Sequence, residues 1–391
     1  MNRERMRFLS LLLLAVWTAS PVSSFASTPV ASTRMPSPRT NTFLRAEEED
    51  AEPLPTPTNQ VVSRVAVAGA TGRTGRLVVQ ELLDRNVEVL ALVRDSDKAT
   101  EVFSSKKDKS LEIQVCDLTN EKQIQKTLQG CDAAIWCATG FSDAQTSIVE
   151  RLKRLAGIAL KPKQSIDAVG IPAIAKLFPA VPNGGNDGLP KVVMMSSAGV
   201  TRPSWDDDKK ETFSGSAGIP IVRLNPFGIL GVKADSEEKL RKSGSNYCIV
   251  RPAGLNDNWP SGSRPILSQG DIAVGRISRK DVATLLVDVL SQPEACGKTF
   301  EAIAAADYPP ARNLASILAR LRKDTDKPMT EGELVVAYSI MQQLLPGERQ
   351  DAAALAMGQT YEQLDKGETG RMGKKGTEDP ERQAGLQPTS S

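Results

Sequence analysis

Three glycines recur at intervals of three residues, in a segment whose flanks predict a phosphate-binding loop. Gly69, Gly72 and Gly75 follow a β-branched and alanine run at 64–68 and precede a helical periodicity at 76–85. Gly69 would permit a tight turn, Gly72 would let the backbone approach a pyrophosphate, and Gly75 would let helix and strand pack closely. The predicted cofactor-binding loop comprises Gly69, Ala70, Thr71, Gly72, Arg73, Thr74 and Gly75.

An arginine after the next predicted strand indicates which dinucleotide this loop would bind. Arg94 ends the strand predicted at 87–93, where the residue that recognises the ribose is expected. Its guanidinium could pair with the 2′-phosphate of NADP(H), and Arg73 could add a second guanidinium. Asp95 could instead hold the free 2′-hydroxyl of NAD(H), or the arginines could simply be surface residues. Because Arg94 is reached first after the strand, the sequence favours NADP(H) over NAD(H).

Alternating strands and helices continue along the chain and predict an α/β fold, a Rossmann-like doubly wound parallel sheet over residues 62–306. Further strands are predicted at 112–116, 133–137, 192–195 and 247–250, and a helix at 166–177. We assign Tyr247, in the last of these strands, to packing. Ligands gather at the carboxyl ends of parallel strands. We therefore expect Asp117 and Leu118 beside the adenine, and Ala138, Thr139 and Gly140 facing the adenosine ribose.

After the sheet, the pattern predicts a C-terminal helical extension at 311–366 and a disordered tail at 367–391. Helices are predicted at 311–322, 331–345 and 351–364, with Thr330 as the N-cap of the second. An apolar stripe on that second helix favours packing on the Rossmann domain. If the helices project instead, they would bind a plastid protein partner. Residues 205–211 are interpreted as a solvated loop or part of a substrate lid, and 183–188 as a turn.

Composition excludes several classes of function. A net charge of +2 provides no field that would recruit nucleic acid or an anionic membrane. The absence of histidine excludes a Ser-His-Asp triad within the chain and argues against a catalytic zinc, so we predict no metal site. The cysteines are odd in number and lack CxxC spacing, which predicts reduced, mostly buried thiols. They are Cys116, Cys131, Cys137, Cys248 and Cys296.

The first 61 residues have the composition of targeting and linker segments. Basic residues before an apolar run predict a signal peptide at 1–24, and a Ser, Thr and Pro-rich stretch without acidic residues predicts a transit peptide at 25–45. With Phe25 at the junction, this layout resembles the bipartite plastid presequences of algae with complex plastids. A solvated linker follows at 46–61. The expected location is the plastid, with secretion as the alternative, and we expect no stable membrane span in the mature chain.

Four segments together resemble the atypical short-chain dehydrogenase/reductases, in particular the plant and algal NAD(P)H-binding branch related to NmrA-like proteins. They are 67–75, 195–199, 233–255 and 277–283. The resemblance implies that Lys233 reaches the nicotinamide ribose, that Ser196 or Ser197 lines the substrate side, and that Pro252 to Leu255 border the nicotinamide. Lys233 and Ser197 are thus the candidate catalytic residues. The resemblance also implies a helix start at 279–282, with Asp281 in the first turn.

The sequence departs from this family at the position of the proton donor. Its reductases typically carry a tyrosine four residues before the lysine, and this chain has Ile229 there. An aliphatic side chain cannot exchange a proton. Two functions therefore remain open. One is an NADP(H)-binding regulatory or assembly protein of the plastid. The other is an NADPH-dependent oxidoreductase of a small carbonyl or conjugated substrate, in which Lys233 acts with water.

Overall fold

The computed structural model describes residues 62–104, 109–139, 165–180, 188–225, 228–305 and 313–344. Several predicted features lie outside these ranges: the presequence and linker at 1–24, 25–45 and 46–61, the third extension helix at 351–364, the tail at 367–391, and Gly140. Most of the turn predicted at 183–188 lies outside them as well.

In these ranges eight strands form one sheet. They are β1 (Arg64–Ala68), β2 (Glu88–Val93), β3 (Leu111–Val115), β4 (Ala133–Trp136), β5 (Val192–Met195), β6 (Tyr247–Pro252), β8 (Arg264–Ser268) and β10 (Lys298–Ala305). Their order across the sheet is β3-β2-β1-β4-β5-β6-β10-β8. The strands from β3 to β10 are parallel, and only the edge strand β8 pairs antiparallel, with β10. A two-stranded sheet joins β7 (Gly254–Leu255) to β9 (Arg276–Ile277).

The α/β prediction is confirmed, and the strand predicted at 192–195 has the observed bounds. The sequence pattern does not predict strands β7 to β10. In β10 the wholly buried run carries Lys298 and Glu301, and these charged residues interrupt the apolar pattern by which a buried strand is recognised.

Helices cover both faces of the main sheet. They are α1 (Gly75–Asp84), α2 (Ser96–Phe103), α3 (Glu121–Thr127), α4 (Ile166–Ala175), α5 (Asp207–Thr212), α6 (Ser214–Ala217), α7 (Pro220–Leu224), α8 (Ile229–Arg241), α9 (Arg279–Asp288), α10 (Leu314–Leu318) and α11 (Glu331–Leu344). Helices α1 and α9 pack together on one face, while α4 packs against α3 and α8 on the other. On that second face Gly170 lies so close to the Trp136 indole that a Cβ there would be 2.4 Å from the ring. The indole donates a hydrogen bond to buried Asp167.

The prediction of a solvated loop at 205–211 is wrong in one respect, because helix α5 occupies most of this segment. The side chain of Asp206 caps this helix by accepting from the backbone N–H of Lys209. Asp207 and Asp208 lie in the first turn, where the helix dipole favours carboxylates. The charges that indicated a loop are therefore those of a solvent-exposed helix, whose preceding residue, Trp205, is buried.

The extension packs on the Rossmann domain, as the stripe predicted. Leu334 and Met341 of α11 are buried, and the ring of Tyr338 meets that of Phe213 edge to face at 5.5 Å. The predicted helix start is also observed, since Thr330 Oγ1 accepts from the Glu333 backbone N–H and the Glu333 carboxylate accepts from that of Thr330. The predicted helix at 311–322 is shorter in the structure, where α10 spans Leu314–Leu318 with Asn313 as its cap.

One carboxylate links the extension to the sheet. Asp324 accepts hydrogen bonds from the backbone and the hydroxyl of Thr299, from the hydroxyl of Tyr247 at 3.0 Å and from Nε of Arg241 at 3.1 Å. Burial and the charge of Asp324 raise the pKa of Tyr247 above its usual value. Tyr247 thus packs as predicted and also connects β6 to the extension through its hydroxyl.

Candidate functional site

The glycine loop is held in its conformation by two close backbone approaches. Gly69 has φ +77°, and a Cβ on it would lie 2.7 Å from the backbone of Ala138, which follows β4. A Cβ on Gly75, the first residue of α1, would lie 2.1 Å from the carbonyl oxygen of Gly69. The N–H of Gly72 donates to that same oxygen at 2.9 Å. Gly69 and Gly75 are therefore required for the steric reasons that the sequence predicted.

The remaining loop residues present different groups. Thr71 is partly exposed, whereas Thr74 is buried and its carbonyl oxygen accepts from the N–H groups of Leu77 and Val78 in α1. Arg73 is exposed, and its Nη1 lies 3.8 Å from a carboxylate oxygen of Asp257. The other oxygen of Asp257 pairs with Arg279 at 2.7 Å. Asp257 thus links the loop to the start of α9, a connection that the sequence did not indicate.

Arg94 and Asp95 differ in how they are engaged. Arg94 is exposed directly after β2, and the described residues offer it no ion pair. Asp95 caps α2, because one of its oxygens accepts from the backbone N–H groups of Asp97 at 2.9 Å and Lys98 at 3.1 Å. The carboxylate that could have recognised a free ribose hydroxyl is therefore partly committed to the helix N-terminus.

The residues predicted to face the adenosine follow β3 and β4. Asp117 shapes the turn after β3, since its Oδ1 accepts from the backbone and the hydroxyl of Thr119. Leu118 is buried in the core, Ala138 is buried against Gly69, and Thr139 is partly exposed beside it. Because β1 pairs in parallel with both β2 and β4, the segments after them reach the same edge of the sheet as the glycine loop.

Two buried polar atoms without hydrogen-bond partners belong to the predicted nicotinamide side. Lys233 is 4% exposed and lies in the second turn of α8, the helix that leads into parallel strand β6. Helices before such strands begin at the carboxyl edge of the sheet, so Lys233 belongs to that end of α8. Within the described residues neither Lys233 Nζ nor Oγ of Ser196, which follows β5, makes a hydrogen bond of good geometry, although the Ser196 hydroxyl lies close enough to Glu237 to help lower the pKa of that carboxyl. Buried groups of this kind are rarely left unpaired, so they fit a polar ligand such as a ribose.

The other two predicted residues on this side have partners. The hydroxyl of Ser197 donates to the carbonyl oxygen of Ala198 at 2.9 Å. The N–H of Ala198 in turn donates to the carbonyl oxygen of Pro252 at 3.0 Å, which joins the segments that end β5 and β6. Ser196 is therefore the better candidate of the two serines for contact with a ligand, and Pro252 holds the end of β6 beside it.

Ile229 is the first residue of α8, 3% exposed, in an apolar cluster with Val200 and Leu230. The position four residues before Lys233 is thus filled by a packed aliphatic side chain. The two tyrosines within the described ranges are both engaged at the extension, Tyr247 with Asp324 and Tyr338 with Phe213. Neither supplies the proton that this position lacks.

Sequence reasoning missed the residue that holds the loop after β5. Fully buried Asp271, with φ +63°, accepts from the N–H of Gly199 at 2.6 Å and from the N–H and hydroxyl of Thr201 at 2.7 and 2.8 Å. Buried Arg202 donates to the carbonyl oxygens of Asp271, Ser216 and Ala273. Gly270-Asp271 has only the signature of a turn, and no local signal indicates partners some seventy residues earlier in the chain.

A second group of buried charges lies behind Lys233. Glu237, one helical turn further along α8, accepts two hydrogen bonds from Arg251 of β6 and one from Arg241. Burial alone would raise the pKa of Glu237, but the two guanidinium groups hold it below its usual value. Glu301 of β10, which accepts from Ser268 and from the N–H of Asp271, has its pKa raised to about 7 by burial and by the charge of Asp271.

Other features bear on the class of function. All five cysteines are free thiols, and Cys116, Cys137 and Cys248 are buried. Burial raises the pKa of Cys137 to about 12, so this thiol is unreactive.

Over the described ranges, no helix has the length and apolar character needed to cross a membrane. In the same ranges no three His, Cys, Asp or Glu side chains group as a metal site would require.

The chain belongs to the NAD(P)H-binding family, whose sequence model matches residues 69–293, more than half of the chain. The predicted membership of an NAD(P)H-binding family is thereby confirmed, and the matched region begins at the first glycine of the loop.

Relatives from plants share this region. The chain is 32% identical over 274 residues to "Uncharacterized protein At2g34460, chloroplastic" of Arabidopsis thaliana, which covers 69% of this chain and 85% of that protein. It is 27% identical over 303 residues to Protein TIC 62, chloroplastic, of the same plant, over 73% of this chain but only 40% of that protein. This chain therefore matches less than half of the length of TIC 62. Among solved structures, the oxidoreductase ylbE from Lactococcus lactis is 16% identical with a TM-score of 0.47, over 66% of this chain and 98% of that one.

The raised pKa of Glu301 predicts a pH-dependent stability. Its folded pKa of about 7 exceeds the ordinary value of 4.5, so the folded chain binds more protons than the unfolded chain between these values. This contribution to the free energy of unfolding is therefore complete below about pH 4.5 and is lost as the pH rises through about 7. In urea titrations the stability of the wild type relative to Glu301→Gln should decrease from pH 5 to pH 8. Glu331→Gln, at an exposed position, serves as the control, and a difference independent of pH would contradict the assignment.

Proposed function

We propose that this chain binds NADP(H) in preference to NAD(H), across the carboxyl edge of its parallel sheet. Membership of the NAD(P)H-binding family supports a dinucleotide. The preference rests on Arg94, which is exposed after β2 without an ion pair among the described residues, while Asp95 is engaged as a helix cap. A guanidinium at this position would pair with the 2′-phosphate. The glycine loop would hold the pyrophosphate, and Lys233 and Ser196 would bind the nicotinamide ribose.

Replacing Arg94 tests the cofactor preference. Arg94→Ala should weaken NADPH binding about 10 to 100-fold, because a charge-assisted hydrogen bond contributes about 1.5–3 kcal/mol. NADH, which lacks the 2′-phosphate, should bind the variant and the wild type alike. Calorimetric titration of both nucleotides would measure this, with Arg264→Ala, at the exposed first residue of β8, as the matched control. Equal losses for the two nucleotides, or no loss of NADPH binding, would refute the assignment.

We propose further that the protein acts as a nucleotide-dependent regulatory or assembly factor of the plastid. The observation that carries this proposal is Ile229, a packed aliphatic residue at the position of the proton donor. The chain then retains the means to bind a dinucleotide without the usual acid for turnover. A surface for a protein partner is supported by α11, which exposes Val335, Val336 and Ile340, with 59% of Val336 and 50% of Ile340 accessible to solvent.

An NADPH-dependent reductase is the second candidate, and it is favoured by the unpaired atoms Lys233 Nζ and Ser196 Oγ. A reduced nicotinamide supplies a hydride when it is bound. Lys233, buried and without a hydrogen-bond partner in the described chain, could deliver the proton to a small carbonyl or conjugated substrate through water, and Ser196 could orient that substrate's oxygen.

Two measurements distinguish these candidates. For the regulatory function, the purified chain should bind NADPH but oxidise none of it with a panel of carbonyl and enone substrates. Pull-down from plastid extract should recover a partner protein in different amounts when NADPH or NADP⁺ is present. The Val336→Asp variant should no longer bind this partner, whereas the exposed control Glu331→Gln should still bind it. NADPH oxidation that Lys233→Met abolishes would instead establish the reductase. Recovery of no specific partner with either nucleotide would end the regulatory proposal.

We also propose that the protein is imported into plastids. The relatives named above are chloroplastic proteins, and residues 1–45 have the composition of a signal followed by a transit peptide. A fluorescent protein fused after residue 61 should accumulate in the plastids of an alga with complex plastids. Phe25→Ala should leave the fusion outside the stroma, with Phe43→Ala as the control. Secretion of the unchanged fusion would contradict the proposal.

A further inference from the structure

A cavity of about 460 Å³ lies between the Rossmann domain and the C-terminal extension. Its walls come from the last turns of α8, from β10, from the segment at 269–270 and from the extension at 322–334. None of the glycine loop, Arg94, Ser196 or Lys233 lines it. It is therefore a site separate from the proposed dinucleotide site, and its existence depends on the extension.

The cavity wall is rich in charged side chains. Six of its lining residues are basic and four are acidic: Lys209, Arg241, Arg251, Arg322, Lys323 and Lys327 against Glu238, Glu301, Asp324 and Asp326. All four carboxylates already accept hydrogen bonds or ion pairs from the protein, Asp324 from Arg241 and Thr299, Glu301 from Ser268, Asp326 from the Lys323 N–H, and Glu238 from Arg241. Among the basic side chains, Arg241 and Arg251 pair with Glu237 and Arg322 pairs with Glu333, so the positive charge without a carboxylate partner in the described chain is that of Lys209, Lys323 and Lys327.

Several of these basic side chains have N–H groups that could donate to a ligand. The ammonium groups of Lys323 and Lys327 make no ion pair or hydrogen bond with the described residues, and that of Lys209 lies 4.6 Å from the centre of the Trp205 ring. Arg251 is 6% exposed and donates through Nε and Nη2 to Glu237, whereas no hydrogen bond within the described ranges uses its Nη1. The cavity therefore combines a fixed, buried guanidinium with lysines at its rim.

We propose that this cavity binds a small organic phosphate. A phosphate monoester carries close to two negative charges at neutral pH, which the unpaired ammonium groups of Lys323 and Lys327 would match. Guanidinium and ammonium groups are the side chains that bind phosphate oxygens. The volume exceeds that of an inorganic ion and falls in the range of small-molecule sites. Pro328, Met329 and Leu334 provide an apolar wall for the organic part.

Direct binding of glycerol 3-phosphate to the full chain tests this site. Calorimetry should detect one equivalent, with malate bound at least tenfold more weakly. The double variant Lys323→Ala with Lys327→Ala should weaken binding at least tenfold, because it removes two unpaired cations at exposed positions. The matched control, Lys122→Ala with Lys126→Ala on α3, should bind as the wild type does.

The glycine loop is a second place where a phosphate could bind, so a further variant separates the two sites. Thr71→Asp would repel phosphate from the loop and should leave glycerol 3-phosphate binding unchanged. Loss of binding in Thr71→Asp would overturn the proposal, as would retention in the double lysine variant, equal binding of malate, or no binding at millimolar ligand. None of these results depends on whether the chain binds NADP(H).

Discussion

The dinucleotide side of the structure depends on one steric constraint, the close approach of three backbone segments at the end of β1. Gly69 lies against the backbone of Ala138, and Gly75 lies against the carbonyl oxygen of Gly69, at distances that leave no room for a Cβ. This arrangement places the start of α1 directly at the carboxyl edge of the sheet, between β1 and β4. A phosphate bound there would meet backbone N–H groups and the positive end of the helix dipole. Arg73, Arg94 and Asp117 are positioned by the same edge.

The opposite half of the molecule is organised by buried charges. Arg202 and Asp271 hold the segment after β5, and Arg251 and Glu237 join β6 to α8 one turn beyond Lys233. Removing one member of such a pair leaves an uncompensated charge, which typically costs about 3–5 kcal/mol. These pairs therefore fix where Ser196 and Lys233 lie, although none of them needs to touch a ligand. Asp324 extends the same principle to the C-terminal extension, whose helix α11 covers part of the sheet beside β8 and β10.

Binding and turnover have different requirements in this fold, and the chain meets them unequally. A dinucleotide needs the glycine loop, a positive helix end and polar contacts for the ribose, and the residues for all three lie at one edge of the sheet. Proton transfer needs an acid within reach of the reacting atom, and the expected position is filled by Ile229, packed against Val200 and Leu230. The residues that argue for nucleotide binding therefore do not by themselves supply the acid that turnover needs.

The sequence alone determined the features that rest on local patterns. Glycine spacing, β-branched runs and helical periodicity predicted the β/α order, the glycine loop and the strand at 192–195, because backbone conformation and amphipathic period are properties of neighbouring residues. Caps behave in the same way, as the predicted start of α11 at Thr330 illustrates. Composition does not distinguish α5 from a loop, because a short charged helix and a charged loop contain the same residue types.

Only the tertiary structure decided how distant segments complete one another. The charges of β10 hid a buried strand, since Glu301 accepts hydrogen bonds there from the Ser268 hydroxyl and the backbone N–H of Asp271, which no local pattern links to it. Three other features likewise depend on contacts between residues far apart in the chain. They are the hydrogen bonds of Asp271 to Gly199 and Thr201, the ion pair of Arg73 with Asp257, and the cavity beneath the extension. Such contacts follow from the packing of the whole fold. The sequence contains both residues of each contact but does not indicate which residues pair with each other.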